Sequence, residues 1–267
     1  AAELLDACPE PCTLAEYYKG YAAYRAGDAG RARAHYEKAE GMPSEHVFPN
    51  TLEEMLILEN AVRVLGDAPM ASFYLGNLLY DKGQYERAAQ CWRTAAERLP
   101  SFAMAHRNLS IALYNKEGDA RAALAEIVTA QELEPGYSRF LLERDQLSER
   151  AGVSAAERLA VLERHRGMLE ERDALYLAYI TLLNAAGRAE DALRCLEAHR
   201  FHPWEGGEGK VAAQYKAALF ALAGREMENG RYEKAYELCE RTLRYPENLG
   251  EGKLENTPDH RAYYEMG

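Results

Sequence analysis

Small and apolar residues recur at helical spacing along nearly the whole chain, and they come in pairs of segments separated by glycine. The stretch "APMASFYLGNLLYDKGQYERAAQCWRTAAERLP" at 68–100 shows the unit most clearly. Leu75 and Gly76 sit in a first helix, and Gly83 breaks it. Tyr85 opens a second helix with Ala88, Trp92 and Ala95 along one face, and Pro100 stops it. Gly76 and Ala88 are small where the two helices would cross, which lets the backbones approach, and Trp92 would fill the groove toward the next repeat. A further copy begins 34 residues after Pro69, at Ala103, with Ser110 in the small position. Gly118, Ala123, Ile127, Ala130 and Pro135 follow one residue late, so this copy carries an extra residue between its helices. An earlier copy fits 13–44 through Gly20, Gly27, Ala32, Tyr36 and Ala39. Later ones fit 173–201 (Gly187, Ala192, Leu196, with a shortened second helix) and 216–247 (Ala223, Gly230, Ala235, Cys239). Thr51 and Glu54 form a capping-box pattern that opens a helix at 51–65. Ser154 and Glu157 form another, inside a loose helix pair at 136–168 broken at Gly152. Period-two alternation flanked by turns is missing throughout, so no strands are expected.

These spacings resemble the tetratricopeptide repeat, with small residues at repeat positions 8 and 20, a large one at 24, Ala at 27 and Pro at 32. The resemblance implies an all-α, tetratricopeptide-like helical-repeat solenoid, a right-handed superhelix of helix hairpins. The expectation is a single repeat domain over 1–267 with five or six helix pairs, an irregular helical insert at 45–67, the degenerate pair at 136–168, and glycine-rich loops at 202–210 and 245–254.

Composition changes little in this picture. The chain has 267 residues, 48% hydrophobic and 28% charged, which places it far from the disordered class. A net charge of −11 repels phosphate backbones and argues against nucleic acid as a partner. No apolar run reaches the roughly 18–20 residues of a membrane span. The start, "AAELLDACPE", has neither a basic segment nor an apolar core like those of a signal peptide, and it lacks Met, so an excised piece of a longer protein is expected. The five cysteines are odd in number, and three lie in helical patterns. That fits reduced thiols and a cytoplasmic location. Cys8 and Cys12 ("CPEPC") have no second pair at zinc-site spacing and read as a proline-braced turn.

No catalytic arrangement emerges, and nothing implies a cofactor or a metal. "GGEGKV" lacks both the first glycine and the Ser/Thr of a phosphate loop: Trp204 stands in the first place and Val211 in the last. The histidines are scattered, and no Ser or Cys sits in a nucleophile turn. The chain is therefore expected not to be an enzyme.

Two candidate binding surfaces remain. In tetratricopeptide repeats, positions 2, 5, 9, 12 and 13 of the first helix line an inner groove. Here they bring Phe73, Asn77 and Tyr80 from one copy, Arg107 and Tyr114 from the next, and Leu14, Tyr17, Tyr21 and Tyr24 from the first, with Asn108 beside them. Tyr and Asn suit an extended peptide, although the same tyrosines would equally serve to pack the array. Carboxylate-clamp repeats put Lys where this chain has Phe73 and Met104, so Asn77 and Asn108 alone do not make that clamp.

The second surface is the loop "FHPWEGGEGK", 201–210, with candidate binding residues His202, Trp204, Glu205, Gly207, Glu208 and Lys210. A weaker echo, "YPENLGEGKL", follows 43 residues later and aligns Gly207–Lys210 with Gly250–Lys253. As structure, each loop closes a hairpin, and Glu208 is placed to cap the helix that begins near Lys210. That leaves His202 and an exposed Trp204 unexplained, a pairing suited to sugar, peptide or another domain. Together with "HRNLSIALYNKEGD", "LLERDQL" and "ERDALY", the two loops resemble the C-terminal tetratricopeptide region of bacterial DUF5107 proteins from about Tyr17 to Gly267. That family is one of long chains in which a β-rich, galactose-mutarotase-like domain precedes the repeats, so the resemblance implies a link to carbohydrate. Three readings follow: a non-catalytic module contacting proteins or a preceding domain of its own chain, a peptide adaptor using the Tyr/Asn groove, or a carbohydrate-binding module with Glu205 and Glu208 as supporting acid/base groups.

Overall fold

The structure is a computed structural model describing residues 12–255, 257 and 259–267, and the described residues contain helices and turns but no strand. Cys8 lies outside the described residues. Cys12 is exposed and free, immediately before the first described helix. The chain divides into two compact units, 1–135 and 136–267.

The first unit runs α1 (Thr13–Arg25), α2 (Ala29–Glu40), α3 (Leu52–Leu65), α4 (Pro69–Asp81), α5 (Tyr85–Arg98), α6 (Ala103–Ala112) and α7 (Ala120–Leu133). The expected small–large pairs form the contacts within its hairpins. A Cβ on Gly20 would lie 2.4 Å from the Tyr36 ring, and one on Gly76 would lie 2.6 Å from Trp92. Trp92 therefore lies across the first helix of its own hairpin, which is why glycine is needed there. In the next copy Ser110 takes that place and donates to the Ala123 carbonyl at 2.8 Å. Ala32, Ala88, Ala95, Ala123 and Ala130 are fully buried, as the repeat pattern requires.

The extra residue of the 103–135 copy is absorbed at the end of its first helix rather than in a longer loop. Residues Leu113–Glu117 form one π-helical turn, and the Gly118 amide bonds the Leu113 carbonyl. The 45–67 insert contributes α3, opened by the expected capping box: the Glu54 amide donates to Thr51 Oγ1 at 3.2 Å, and the Thr51 amide donates to Glu54 at 2.8 Å. Tyr17, assigned to the groove by repeat position, is instead fully buried. Its ring meets Tyr36 and Tyr74 at 6.2 and 6.1 Å, and its hydroxyl donates to Glu40. Glu40 in turn accepts the Met70 and Ala71 amides at 2.8 Å each and so caps α4 from the preceding hairpin.

The second unit runs α8 (Ser138–Arg150), α9 (Ala155–Arg164), a 3-10 segment (Arg166–Glu171), α10 (Asp173–Ala185), α11 (Ala189–Ala198), α12 (Lys210–Glu228), α13 (Tyr232–Arg241), a 3-10 turn (Glu247–Leu249) and α14 (His260–Met266). Ser154 and Glu157 make the second capping box, and α11 is short, as the pattern indicates. Leu141, Leu162, Leu175, Ile180, Leu196 and Leu219 belong to one buried cluster, and Phe201 and Leu249 join it from the two irregular loops. No described helix is long and apolar enough to cross a membrane.

Candidate functional site: a cleft between two echoed loops

The two unusual stretches face each other. The 199–209 loop leaves the C-terminus of α11 and feeds the N-terminus of α12, and the 245–254 stretch closes over both helix ends. Asn248 donates from its side-chain amide to the Leu196 and His199 carbonyls at 2.7 and 2.9 Å, capping α11. The Asn248 carbonyl accepts the Phe201 amide at 2.8 Å. Glu251 accepts the Gly209 amide at 2.6 Å and the Ala212 amide at 2.9 Å, capping α12. A carboxylate suits this place because it meets free amides and the positive end of the helix dipole. Glu208 is therefore not the cap that its position suggested. It is exposed and, among the described residues, accepts only from Gly206, at 3.3 Å, because the echoed glutamate has taken the helix end. Gly250, at φ +74°, lies so close to Phe201 that a Cβ would come within 2.4 Å of its carbonyl oxygen. The closeness of the two loops thus depends on that glycine.

Asp173, the first residue of α10, anchors the start of the loop. One carboxylate oxygen lies 2.7 Å from His199 Nε2. The other accepts the His202 amide at 2.7 Å and lies 3.2 Å from His202 Nδ1. Burial alone would push Asp173 up, but the hydrogen bonds from His199 and His202 outweigh it and hold the carboxyl below its usual range. The His199 ring packs between Tyr176 and Phe201, with centroids at 4.7 and 4.6 Å. His202 is exposed.

Between the loops lies a cleft of about 390 Å³. Val211, Leu249 and Leu254 supply its aliphatic lining, Trp204 its indole, and His202, Glu205 and Glu208 its polar margin. Trp204 is half-buried rather than fully exposed. It packs on the core cluster and lies over Gly207, where a Cβ would fall 2.3 Å from the ring. Trp204 also borders a neighbouring cleft of about 280 Å³ shared with Lys210, Leu177 and Thr181. The structure thus gathers His202, Trp204, Glu205, Gly207 and Glu208 around one cleft and sets Lys210 at the next. Leu249, Glu251 and Leu254 were not singled out from sequence, although the echo pointed to their segment.

The inner-groove candidates of the first unit are engaged differently. Asn77 Oδ1 accepts both Trp92 Nε1 and Asn108 Nδ2, each at 2.9 Å. Phe73 is buried with its ring 4.8 Å from Phe102, and Tyr80 packs on Trp92 and Tyr85. Arg107 is half-buried and donates to Asn108 at 3.3 Å, and Tyr114 is half-buried on the π-helical turn. No group of three or more metal-ligating side chains suited to an ion occurs among the described residues.

Comparison with known proteins agrees with this architecture. Residues 76–117 match the family described as TPR repeat. Among solved structures, YrrB, described as a TPR protein with an unusual peptide-binding site, aligns at 16% identity over 70% of this chain and 90% of its own, with a TM-score of 0.51. A chain from the structure of Naa15/Naa10 bound to HypK-THB aligns at 13% identity over 95% of this chain, with a TM-score of 0.52; only 38% of that longer chain is covered. At such identities the likeness speaks for fold alone. This chain carries a tetratricopeptide-repeat region within an all-α helical-repeat fold.

Proposed function

We propose that this chain is a non-catalytic interaction module that docks a protein segment in the cleft between its 202–210 and 245–254 loops. The observation that carries this reading is the mutual locking of the loops around a cleft with an indole wall, aliphatic lining and an acidic margin. Capping the two helix ends accounts for Asn248 and Glu251, but not for an open cleft margined by the exposed Glu205 and Glu208. A site held by caps on two helix ends is already ordered, so a partner binds without the entropic cost of arranging it. YrrB, which shares this fold, is described as having a peptide-binding site, and a peptide is the class of partner proposed here. The inner groove of the first unit is a weaker candidate, because the Asn77 oxygen and Phe73 are already engaged internally. The resemblance to the DUF5107 repeat region supports a preceding β-rich, carbohydrate-related domain as the place such a segment comes from.

Selection of random displayed peptides on this chain, with counter-selection on Trp204→Ala, tests the reading. Peptides that hold the parent and lose the variant are expected. If no selected peptide depends on Trp204, the cleft is not the docking site. An indole beside carboxylates also suits a sugar ring. A saturable fluorescence change with a panel of mono- and oligosaccharides, abolished by Trp204→Phe, would replace the protein segment with a carbohydrate.

A further inference from the structure

We infer that the cleft recognises its protein segment through a basic side chain, Arg above Lys, laid along Trp204 with its charge between Glu205 and Glu208. The inference rests on the docking reading above and adds the chemistry of the occupant. Its basis is an imbalance of charge at the cleft. Glu205 and Glu208 are both exposed at the margin, and among the described residues neither has an ion-pair partner. No Lys or Arg lines the cleft. The two cations within the loops themselves are placed elsewhere: Lys253 pairs with Asp259, and Lys210 borders the neighbouring cleft. The third carboxylate, Glu251, is satisfied by the Gly209 and Ala212 amides, so the acceptors left to an occupant are those of Glu205 and, beyond its contact with the Gly206 amide, Glu208.

The rest of the lining suits the same side chain. A long basic residue needs an apolar track for its methylenes and polar acceptors for its tip. Val211, Leu249 and Leu254 provide the track, and the indole adds a cation–π surface. A guanidinium is planar, stacks on an aromatic ring and bonds a carboxylate with two parallel donors, whereas an ammonium offers only a point charge. The volume of about 390 Å³ holds one or two side chains rather than a folded element. The chain's net charge of −11 would speed encounter with a basic segment at low salt.

The test uses the Trp204-dependent peptides from the selection above, sequenced and measured by fluorescence anisotropy against the parent chain and the Glu205→Gln, Glu208→Gln and double variants. Both glutamates are exposed, and glutamine preserves their shape, so the fold is expected to persist. Enrichment of an Arg or Lys beside an apolar residue is expected, with roughly tenfold weaker binding per lost carboxylate. Weaker binding when citrulline replaces that Arg, and a fall in affinity with added salt, are expected as well. Trp204-dependent peptides that are neutral or acidic, or whose affinity ignores both glutamates, would overturn the basic-side-chain inference and leave the docking site standing. Absence of any Trp204-dependent peptide would remove both.

Discussion

The Glu251 carboxylate caps helix α12 by accepting the Gly209 amide at 2.6 Å, across 42 residues of sequence. Glu40 does the same for α4 from the preceding hairpin, through the Met70 and Ala71 amides. Each of these helices thus starts on a carboxylate supplied by a distant segment, so the cap doubles as a tertiary contact. Replacing Glu251 with Ala is expected to destabilise the second unit by about 1–2 kcal/mol, the usual range for a lost cap. Chemical denaturation measures the loss, and hydrogen exchange should show the Gly209 and Ala212 amides opening first. Unchanged exchange at both amides would contradict the cap.

Gly76 and Gly83 are expected to respond to the same substitution for different reasons. Alanine at Gly76 places a Cβ 2.6 Å from Trp92, and the overpacking should cost about 1–3 kcal/mol and alter Trp92 fluorescence. Alanine at Gly83 meets no atom within 4 Å, but its φ of +75° is unfavourable for an L residue, so a loss of about 1 kcal/mol with unchanged fluorescence is expected.

Stability should depend on pH through Glu16. This residue is 5% exposed. Burial pushes its carboxyl up, but hydrogen bonds from His35, Lys38 and Lys19 outweigh burial and bring it from 4.5 to about 2. The folded state therefore binds fewer protons than the unfolded state between these values. Its contribution is complete above about pH 4.5 and is lost as pH falls toward 2. Unfolding free energies from urea titrations of the parent and Glu16→Gln should differ by on the order of 3 kcal/mol near neutrality and converge at low pH. A constant difference across that window would refute the assignment.

Asp145 and Arg158 form a bidentate pair at 2.8 and 2.9 Å between α8 and α9, with Asp145 5% exposed. Asp145→Ala leaves the guanidinium with only its bond to Glu149 at 2.8 Å and is expected to cost about 2–3 kcal/mol, while joint replacement of Asp145 and Arg158 by Leu and Met should recover most of that. Thermal unfolding of the single and double variants measures the difference.

The repeating hairpins were legible in the sequence because each depends on residues within about one repeat length: a glycine or serine facing a large side chain, buried alanines, and a glycine at the turn. The two capping boxes were legible for the same reason, since a cap and its partner lie three residues apart. The π-helical turn at Leu113–Glu117 was visible only as one extra residue, because a helix and a loop can absorb an insertion equally well until packing fixes both ends. The echo of the 201–210 loop in 245–254 was plain in sequence, but which glutamate caps α12 was not. Glu208 and Glu251 are equivalent by pattern, and only the approach of the second loop, made close by Gly250, gives the helix end to Glu251 and leaves Glu208 at the cleft. The engagement of Asn77 with Trp92 and Asn108 was likewise beyond the sequence, because one amide oxygen near two donors is a fact of three dimensions. Sequence alone determined the helical class, the recurring hairpin spacing and the segments out of keeping with it, since local propensity and burial period are properties of neighbours along the chain. Tertiary structure decided which polar groups are consumed inside the fold and which remain exposed, since hydrogen-bond competition is settled by distance in space.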